Sequence, residues 1–309
     1  VKILLSRREK LKKKKLNIFL DSGAFSAWAK GEEINLKDYI AFIKKYEKYI
    51  EVYANLDVIG DPKATLKNQK KMEKAGLSPL PCFHYGEDIS YLKDYIKNYE
   101  YVSLGGMVPI SSADLIKWLD KIFGEYICNT KDHKPKVRVH GFGMTSFDLM
   151  LRYPWYSVDS TSWVMTGRFG GVMVPKFRKG KYSYETSPLK VDVSTRSSSV
   201  KKEGQHITTF SELERQQILK YFTHKGYKLG VSKFKSVKEK GYTLKDNECW
   251  NGKANKNGDK EVEEVIEKGI CNQYKQRDEL NIIYFLDLEK NMPTYPQPFK
   301  PQRIGGLGL

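Results

Sequence analysis

Cysteine is scarce and scattered in this chain. Only four occur in 309 residues, Cys82, Cys128, Cys249 and Cys271, and no two form a Cys-x-x-Cys pair. That spacing excludes a disulfide-stapled scaffold and fits a reducing compartment. No leader-like segment is recognised at the start, and no apolar stretch approaches membrane-span length. A soluble, cytoplasmic protein with no membrane partner is therefore expected. The glycine-rich phosphate loop of a dinucleotide-binding fold is also missing, which disfavours an open doubly wound sheet. No internal repeat or low-complexity block occurs.

Acidic side chains are the other shortage, 37 against 54 Lys and Arg, for a net charge of +17. Such an excess favours a polyanionic partner, most simply nucleic acid. Solvated helix faces compete for the same lysines, as at Lys44, Lys45 and Lys48. The opening run Arg7, Arg8, Lys10 and Lys12 to Lys15 is open to both readings, phosphate contact or solvated arm. A second basic stretch, Arg168, Lys176, Arg178, Lys179 and Lys181, is interleaved with Phe169, Phe177, Tyr182 and Tyr184. Basic and aromatic residues in that mixture suit a polynucleotide strand.

What the chain does have is a series of apolar runs that end in polar or glycine residues. The first is Ile18-Phe19-Leu20 followed by Asp21-Ser22-Gly23-Ala24-Phe25. Asn55-Leu56-Asp57, Phe83-His84-Tyr85-Gly86-Glu87, Leu104-Gly105-Gly106-Met107, Val139-His140-Gly141-Phe142-Gly143 and Ser157-Val158-Asp159 repeat the arrangement. In parallel α/β proteins the carboxyl ends of strands carry the chemistry. Between these runs the apolar spacing is helical, as at Tyr39, Ile40, Ile43 and Tyr46. Helices are predicted over 36–50, 63–75, 89–99, 113–123 and 146–151, with Gly76 ending the second and Ser111 or Ser112 capping the fourth.

Strand-helix units in such number predict an α/β protein, a (β/α)₈ TIM-like barrel with a basic C-terminal elaboration. Residues 1–165 would carry the main part of the barrel and its site. Residues 166–309 would supply the remaining barrel elements, basic loops, an exposed insertion over 240–258, one or two helices over 261–286 and an extended tail from Pro293. Asp21 and Asp159 are the foremost candidates for catalysis. Two acids at different strand ends can flank a glycosidic bond, one attacking the anomeric carbon while the other handles protons. An acid at a single strand end as often only binds loop amides; the pair is more telling than either member.

Taken in order, these motifs resemble the tRNA-guanine transglycosylase family, and more closely its phage-encoded relatives that exchange guanine in DNA for a 7-deazaguanine. Asp21-Ser22-Gly23-Ala24-Phe25 is similar to the family's Asp-Ser-Gly-Gly-Phe. Leu56-Asp57 matches Phe-Asp, His84-Tyr85-Gly86 loosely matches Val-Gln-Gly, and Gly105-Gly106-Met107 matches Gly-Gly-Leu. His140-Gly141-Phe142-Gly143 resembles Met-Gly-Val-Gly, and Val158-Asp159 resembles the nucleophile segment. The match covers about half the chain, from Ile18 to Trp163.

The resemblance implies a covalent aspartyl-glycosyl intermediate on Asp159, with Asp21 as general acid/base. It implies base contacts from Ser22, Gly23, Phe25, Asp57, His84, Tyr85, Gly105, Gly106, Met107, His140 and Gly141. Asp57 would accept from the N–H edge, His84 or Tyr85 would replace a glutamine, and His140 would stand where a residue stacks on the base. The incoming partner would be a free 7-deazaguanine such as preQ0, in a host cytoplasm if the chain is phage-encoded. The chemistry needs no cofactor.

The family's structural zinc motif, Cys-x-Cys-x-x-Cys with a later His, is absent; Cys249, Cys271, His206 and His224 are weak candidates for a divergent site. Thr161-Ser162-Trp163 replaces Pro-Thr-Arg, which favours DNA over tRNA. Trp155 and Trp163 flank the nucleophile strand, where core packing is the commoner role. Three alternatives stay open: the same exchange on tRNA, a metal-dependent barrel hydrolase using Asp57, His84, His140 and Asp159, and a non-catalytic nucleic-acid-binding barrel.

Overall fold

The computed structural model describes residues 18–144, 146–196 and 203–300; the Arg7 to Lys15 run lies outside them. The chain is mixed α/β and divides into two compact units, Val1–Asp159 with Thr294–Leu309, and Ser160–Pro293.

In the first unit six strands alternate with helices. They are β1 (Ile18–Leu20), β2 (Ile50–Tyr53), β3 (Cys82–His84), β4 (Tyr101–Gly105), β5 (Arg138–Gly141) and β6 (Ser157–Val158). β1 pairs with β2, and β3 to β6 pair in sequence order, all parallel. A parallel bridge from Ala54 to Leu80 links the two sets. The helices are α1 (Ala24–Lys30), α2 (Leu36–Tyr46), α3 (Pro62–Lys74), α4 (Ile89–Asn98), α5 (Ser112–Lys121) and α6 (Phe147–Arg152).

Local chemistry accounts for the helix starts. Asn35 accepts the main-chain N–H groups of Lys37 and Asp38, Asp61 that of Ala64 ahead of Pro62, Asp88 that of Ser90, and Ser111 that of Asp114. Each satisfies donors that a helix leaves free in its first turn. The predicted helix over 36–50 ends early, at Tyr46, and Ile50 has already entered β2.

Register sorts the sheet into two faces. Cys82, His84, Ser103, Gly105, His140 and Ser157 share one face through the pairs Cys82–Ser103, His84–Gly105, Ser103–His140 and His140–Ser157. The other face carries Phe83, Val102, Leu104 and Val139, all fully buried, with Phe83 stacked towards Trp118 of α5. The polar face is concave. The rings of Phe19 on β1 and His140 on β5 stack at 4.3 Å, whereas strands four places apart in a flat sheet would be about 19 Å apart.

The second unit is built differently. α7 (Ser162–Arg168) leads into β7 (Gly171–Val174), which pairs antiparallel with β10 (Leu189–Asp192). Between them β8 (Lys176–Arg178) and β9 (Lys181–Ser183) form a hairpin. Its turn residues Lys179 and Gly180 have φ of 48° and 78°, the left-handed pair that matches the twist of a tight hairpin. α8 (Glu212–His224) starts with a capping box of Ser211 and Glu214. β11 (Val231–Lys238), β12 (Glu248–Asn251) and β13 (Asp259–Glu267) form an antiparallel sheet with β13 central, and α9 (Tyr274–Asn291) follows.

Three expectations change here. The 240–258 segment is not a bare insertion; it contains β12, where Trp250 pairs with Val262. Helix is not found at the start of 261–286, because Glu261 to Glu267 lie in β13 between two partners. The tail is docked in its described part: Phe299 is buried and stacks on Tyr153. Among the described residues no helix is long and apolar enough to cross a membrane.

Candidate functional site

Every candidate on the strand ends of the first unit belongs to one compact unit. Asp21 leaves β1 and is followed by a tight entry into α1. Gly23 sits at φ 76° as the residue before the helix, a conformation that favours glycine. Ser22 Oγ accepts the Ala24 N–H at 3.2 Å and donates to Asp57 Oδ1 at 2.9 Å, which ties the first strand end to the second. The loop carrying Asp57 is held in turn: Asn68 Nδ2 donates to the Leu56 carbonyl at 2.9 Å.

His84 lies between two acids. Its Nε2 is 2.9 Å from Asp57 Oδ2 and its Nδ1 3.0 Å from Glu87 Oε1. The His84 main-chain N–H donates to the other Glu87 oxygen at 3.0 Å. Burial works against a charged imidazole, but its pKa is nevertheless raised. Neighbouring Cys82 would support that charge only as a thiolate, and burial pushes the Cys82 thiol up. The rise therefore rests on the two carboxylates.

Asp159 is served by β5 and the turn after it. Gly143 N–H donates to its Oδ1 at 2.8 Å, and His140 Nε2 faces the same oxygen at 3.6 Å. Its side chain remains 47% exposed. Burial would raise the Asp159 pKa; the nearby His140 ring and the hydrogen bond from the Gly143 amide outweigh it and the group is lowered. Asp21 is the converse. The surrounding protein raises its pKa most, the Gly23 N–H at 3.4 Å opposes this, and the charges of Asp159 and Asp57 add smaller upward pushes. The mutual influence brings the three acids into one neighbourhood. Asp21 remains reachable by solvent.

His140 has a task other than stacking on a base. It is 2% exposed, with Phe19 against its ring face and Phe142 at its edge. Its Nδ1 contacts Ser157 Oγ at 2.6 Å, which contacts the Tyr101 hydroxyl at 2.6 Å. The ring is thereby aimed at Asp159. Tyr85 does not join His84, for strand alternation turns its ring to Trp118 at 5.2 Å. Gly105 and Gly106 are shaped by His84: a Cβ on Gly105 would lie 3.0 Å from His84 Cδ2, and one on Gly106 3.1 Å from His84 Cβ. Gly141 makes room for Trp155, whose ring would meet its Cβ at 3.0 Å; Trp155 is core. Met107 is buried. Phe25 and Trp28 form an exposed aromatic pair on α1, with ring centroids 6.0 Å apart.

The set Asp57, His84, His140 and Asp159 separates into two pairs rather than one ligand cluster. The four zinc candidates of the second unit also fail to gather. Cys249 lies against Glu263 and Arg196, Cys271 is buried, His206 Nδ1 bonds Thr208 Oγ1 at 2.7 Å, and His224 ends α8. Among the described residues neither set forms a metal-ligating group. Arg168 ends α7. Lys176, Arg178, Lys179 and Lys181 are on the β8–β9 hairpin, the last three exposed, as is Phe177.

Sequence reasoning did not assign Glu87, Cys82, Ser157, Tyr101 or Gly143. Glu87 stands three residues after His84, and Cys82 two before it on the same strand face; both spacings were readable. The Tyr101–Ser157–His140 chain crosses three strands and leaves no local signal. Comparison with family models, curated proteins and solved structures finds no match.

Proposed function

We propose that the first unit is the main part of a (β/α)₈-type barrel that exchanges a base in nucleic acid, DNA ahead of tRNA, with guanine leaving and a 7-deazaguanine entering. One observation carries the reading: neighbouring carboxylates are driven in opposite directions, Asp159 towards the ionised form and Asp21 towards the protonated one. Opposed environments on paired acids divide nucleophile from proton carrier. The sequential parallel strands and the curl that joins β1 to β5 support the barrel.

Asp159 attacks C1′ as its bond to the base nitrogen breaks, and Asp21 gives its proton to the departing guanine. The covalent glycosyl ester keeps the free energy of the broken bond. The incoming base then loses a ring N–H proton to Asp21 and displaces Asp159 from C1′. Asp57 offers its remaining lone pairs to the base's N–H edge, and Phe25 with Trp28 gives a stacking surface. The target nucleotide has to leave its stack to reach the acids. The basic hairpin of the second unit is by itself a candidate for phosphate contact.

The test is release of labelled guanine from DNA, and separately from tRNA, on adding a free 7-deazaguanine base. Release with a denaturation-stable enzyme–nucleic acid adduct is expected, both lost in Asp159→Ala. Exchange retained by that variant would remove Asp159 from its role. Tight DNA binding without exchange would make the chain a binder, and abasic product without base incorporation would make it a hydrolase.

A further inference from the structure

We propose that Asp57, Cys82 and His84 bind one divalent transition-metal ion of the zinc class, with Glu87 as the residue that orients the imidazole. One ligand atom from each of the three lies within 4.8 Å of the others. Cys82 Sγ and His84 Nε2 are 3.5 Å apart. Bonds of about 2.3 Å to sulfur and about 2.0 Å to nitrogen, at a tetrahedral angle, also separate the two donors by about 3.5 Å. The two residues alternate on β3 and so face the same way.

Two further features point to a cation. Glu87 binds Nδ1 and the His84 main-chain N–H. With the Nδ1 proton directed to Glu87, the Nε2 lone pair faces the carboxylate of Asp57 and the sulfur of Cys82. Without a metal, a proton on Nε2 makes the 2.9 Å hydrogen bond to Asp57; a cation would take that proton's place among the same donors. A carboxylate on the far nitrogen is the usual support of a metal-bound imidazole. The second feature is Gly105. A Cβ there would come within 3.0 Å of Cys82 Sγ and 3.3 Å of His84 Nε2, so any side chain would enter the space beside the donors.

Thiolate, imidazole and carboxylate together suit zinc, and cobalt as its stand-in, rather than magnesium or calcium. Three protein ligands leave a fourth position for water or a substrate atom. Ser22 Oγ, bonded to the other Asp57 oxygen, holds that carboxylate in place. The site rests on donor geometry and stands without the base-exchange reading; its test therefore measures metal rather than turnover.

The experiment titrates the metal-stripped full chain with zinc, and with Co²⁺ followed by absorption. One metal per chain and a near-ultraviolet thiolate-to-cobalt band are expected. The band should vanish in Cys82→Ser and persist in Cys249→Ser. Glu87→Gln should weaken zinc about 10- to 100-fold while the stoichiometry stays at one. The wild-type titration decides the matter even if Cys82→Ser does not fold: no bound metal, or cobalt bound without a sulfur band, overturns the proposal. A band that survives in folded Cys82→Ser, or disappears in Cys249→Ser, also overturns it.

Discussion

Both units bury polar side chains, but the networks at the strand ends of the first unit differ from the staples that Arg277 and Asn281 make in the second. In the first, Ser22, Asp57, His84 and Glu87 form a side-chain chain, and Tyr101, Ser157 and His140 form another that ends facing Asp159. In the second, Arg277 Nε donates to the Gly167 carbonyl at 2.8 Å and a terminal nitrogen to the Ile270 carbonyl at 2.7 Å. Asn281 accepts the Met173 N–H at 2.8 Å and donates to the Trp163 carbonyl at 3.1 Å. The second arrangement closes on the fold itself. The first leads to carboxylates that solvent can reach. Burial of polarity is thus a poor guide to chemistry unless its partners are considered.

The exposed acid and the buried arginine should respond in opposite ways to truncation. Asp159→Ala should reduce base exchange by at least about a thousandfold, on the order of 4 kcal/mol of transition-state stabilisation. Its stability at pH 7 should fall by only about 1 kcal/mol, chiefly from the lost Gly143 hydrogen bond, since the side chain is half exposed. Arg277→Ala should do the reverse, lowering stability by about 3 kcal/mol because buried carbonyls lose their donors. Denaturant melts of both variants check this. A stable Arg277→Ala beside an unfolded Asp159→Ala would invert the distinction.

The comparison also explains what could be read in advance. Helices over 36–46, 62–74 and 89–98 were legible because their caps and apolar spacing are local. The strand ends were legible because apolar runs stop at Asp21, Asp57, His84 and Asp159. Glu261 to Glu267 misled. Val262, Val265 and Ile266 have helical spacing and Glu favours helix, yet pairing with β11 and β12 wins, a non-local decision. The aim of His140 was also hidden, since it depends on Phe19, Tyr101 and Ser157 from three other strands. The staples of the second unit gave no signal: Asn281 is 108 residues from Met173, whose amide it accepts.

A smaller effect concerns the hairpin, where basic side chains are exposed rather than tied into the fold. If Arg178 and Lys181 meet phosphates, Arg178→Ala and Lys181→Ala should each weaken polynucleotide binding severalfold. Each should also flatten the plot of log affinity against log salt by about 0.7 to 0.9. Weakened affinity with an unchanged slope would place these residues away from the phosphates.

The smallest effect separates the two acids from each other. The pKa of Asp21 is raised by burial and by its acidic neighbours, so folding favours its protonated form. Its ionisation costs stability at neutral pH, and that cost fades as pH falls below the ordinary carboxylate pKa. Asp159 is lowered; it adds stability above the ordinary carboxylate pKa and loses it as pH falls through its own, lower value. Asp21→Asn should therefore raise stability slightly at pH 7, with the gain shrinking towards pH 3, while abolishing exchange. Asp159→Asn should lower stability by about 1 kcal/mol at pH 7 and converge on wild type in acid. Chemical denaturation across pH reads both. A shared sign for the two variants would mean that their environments are alike, and the division of labour between nucleophile and proton carrier would lose its physical basis.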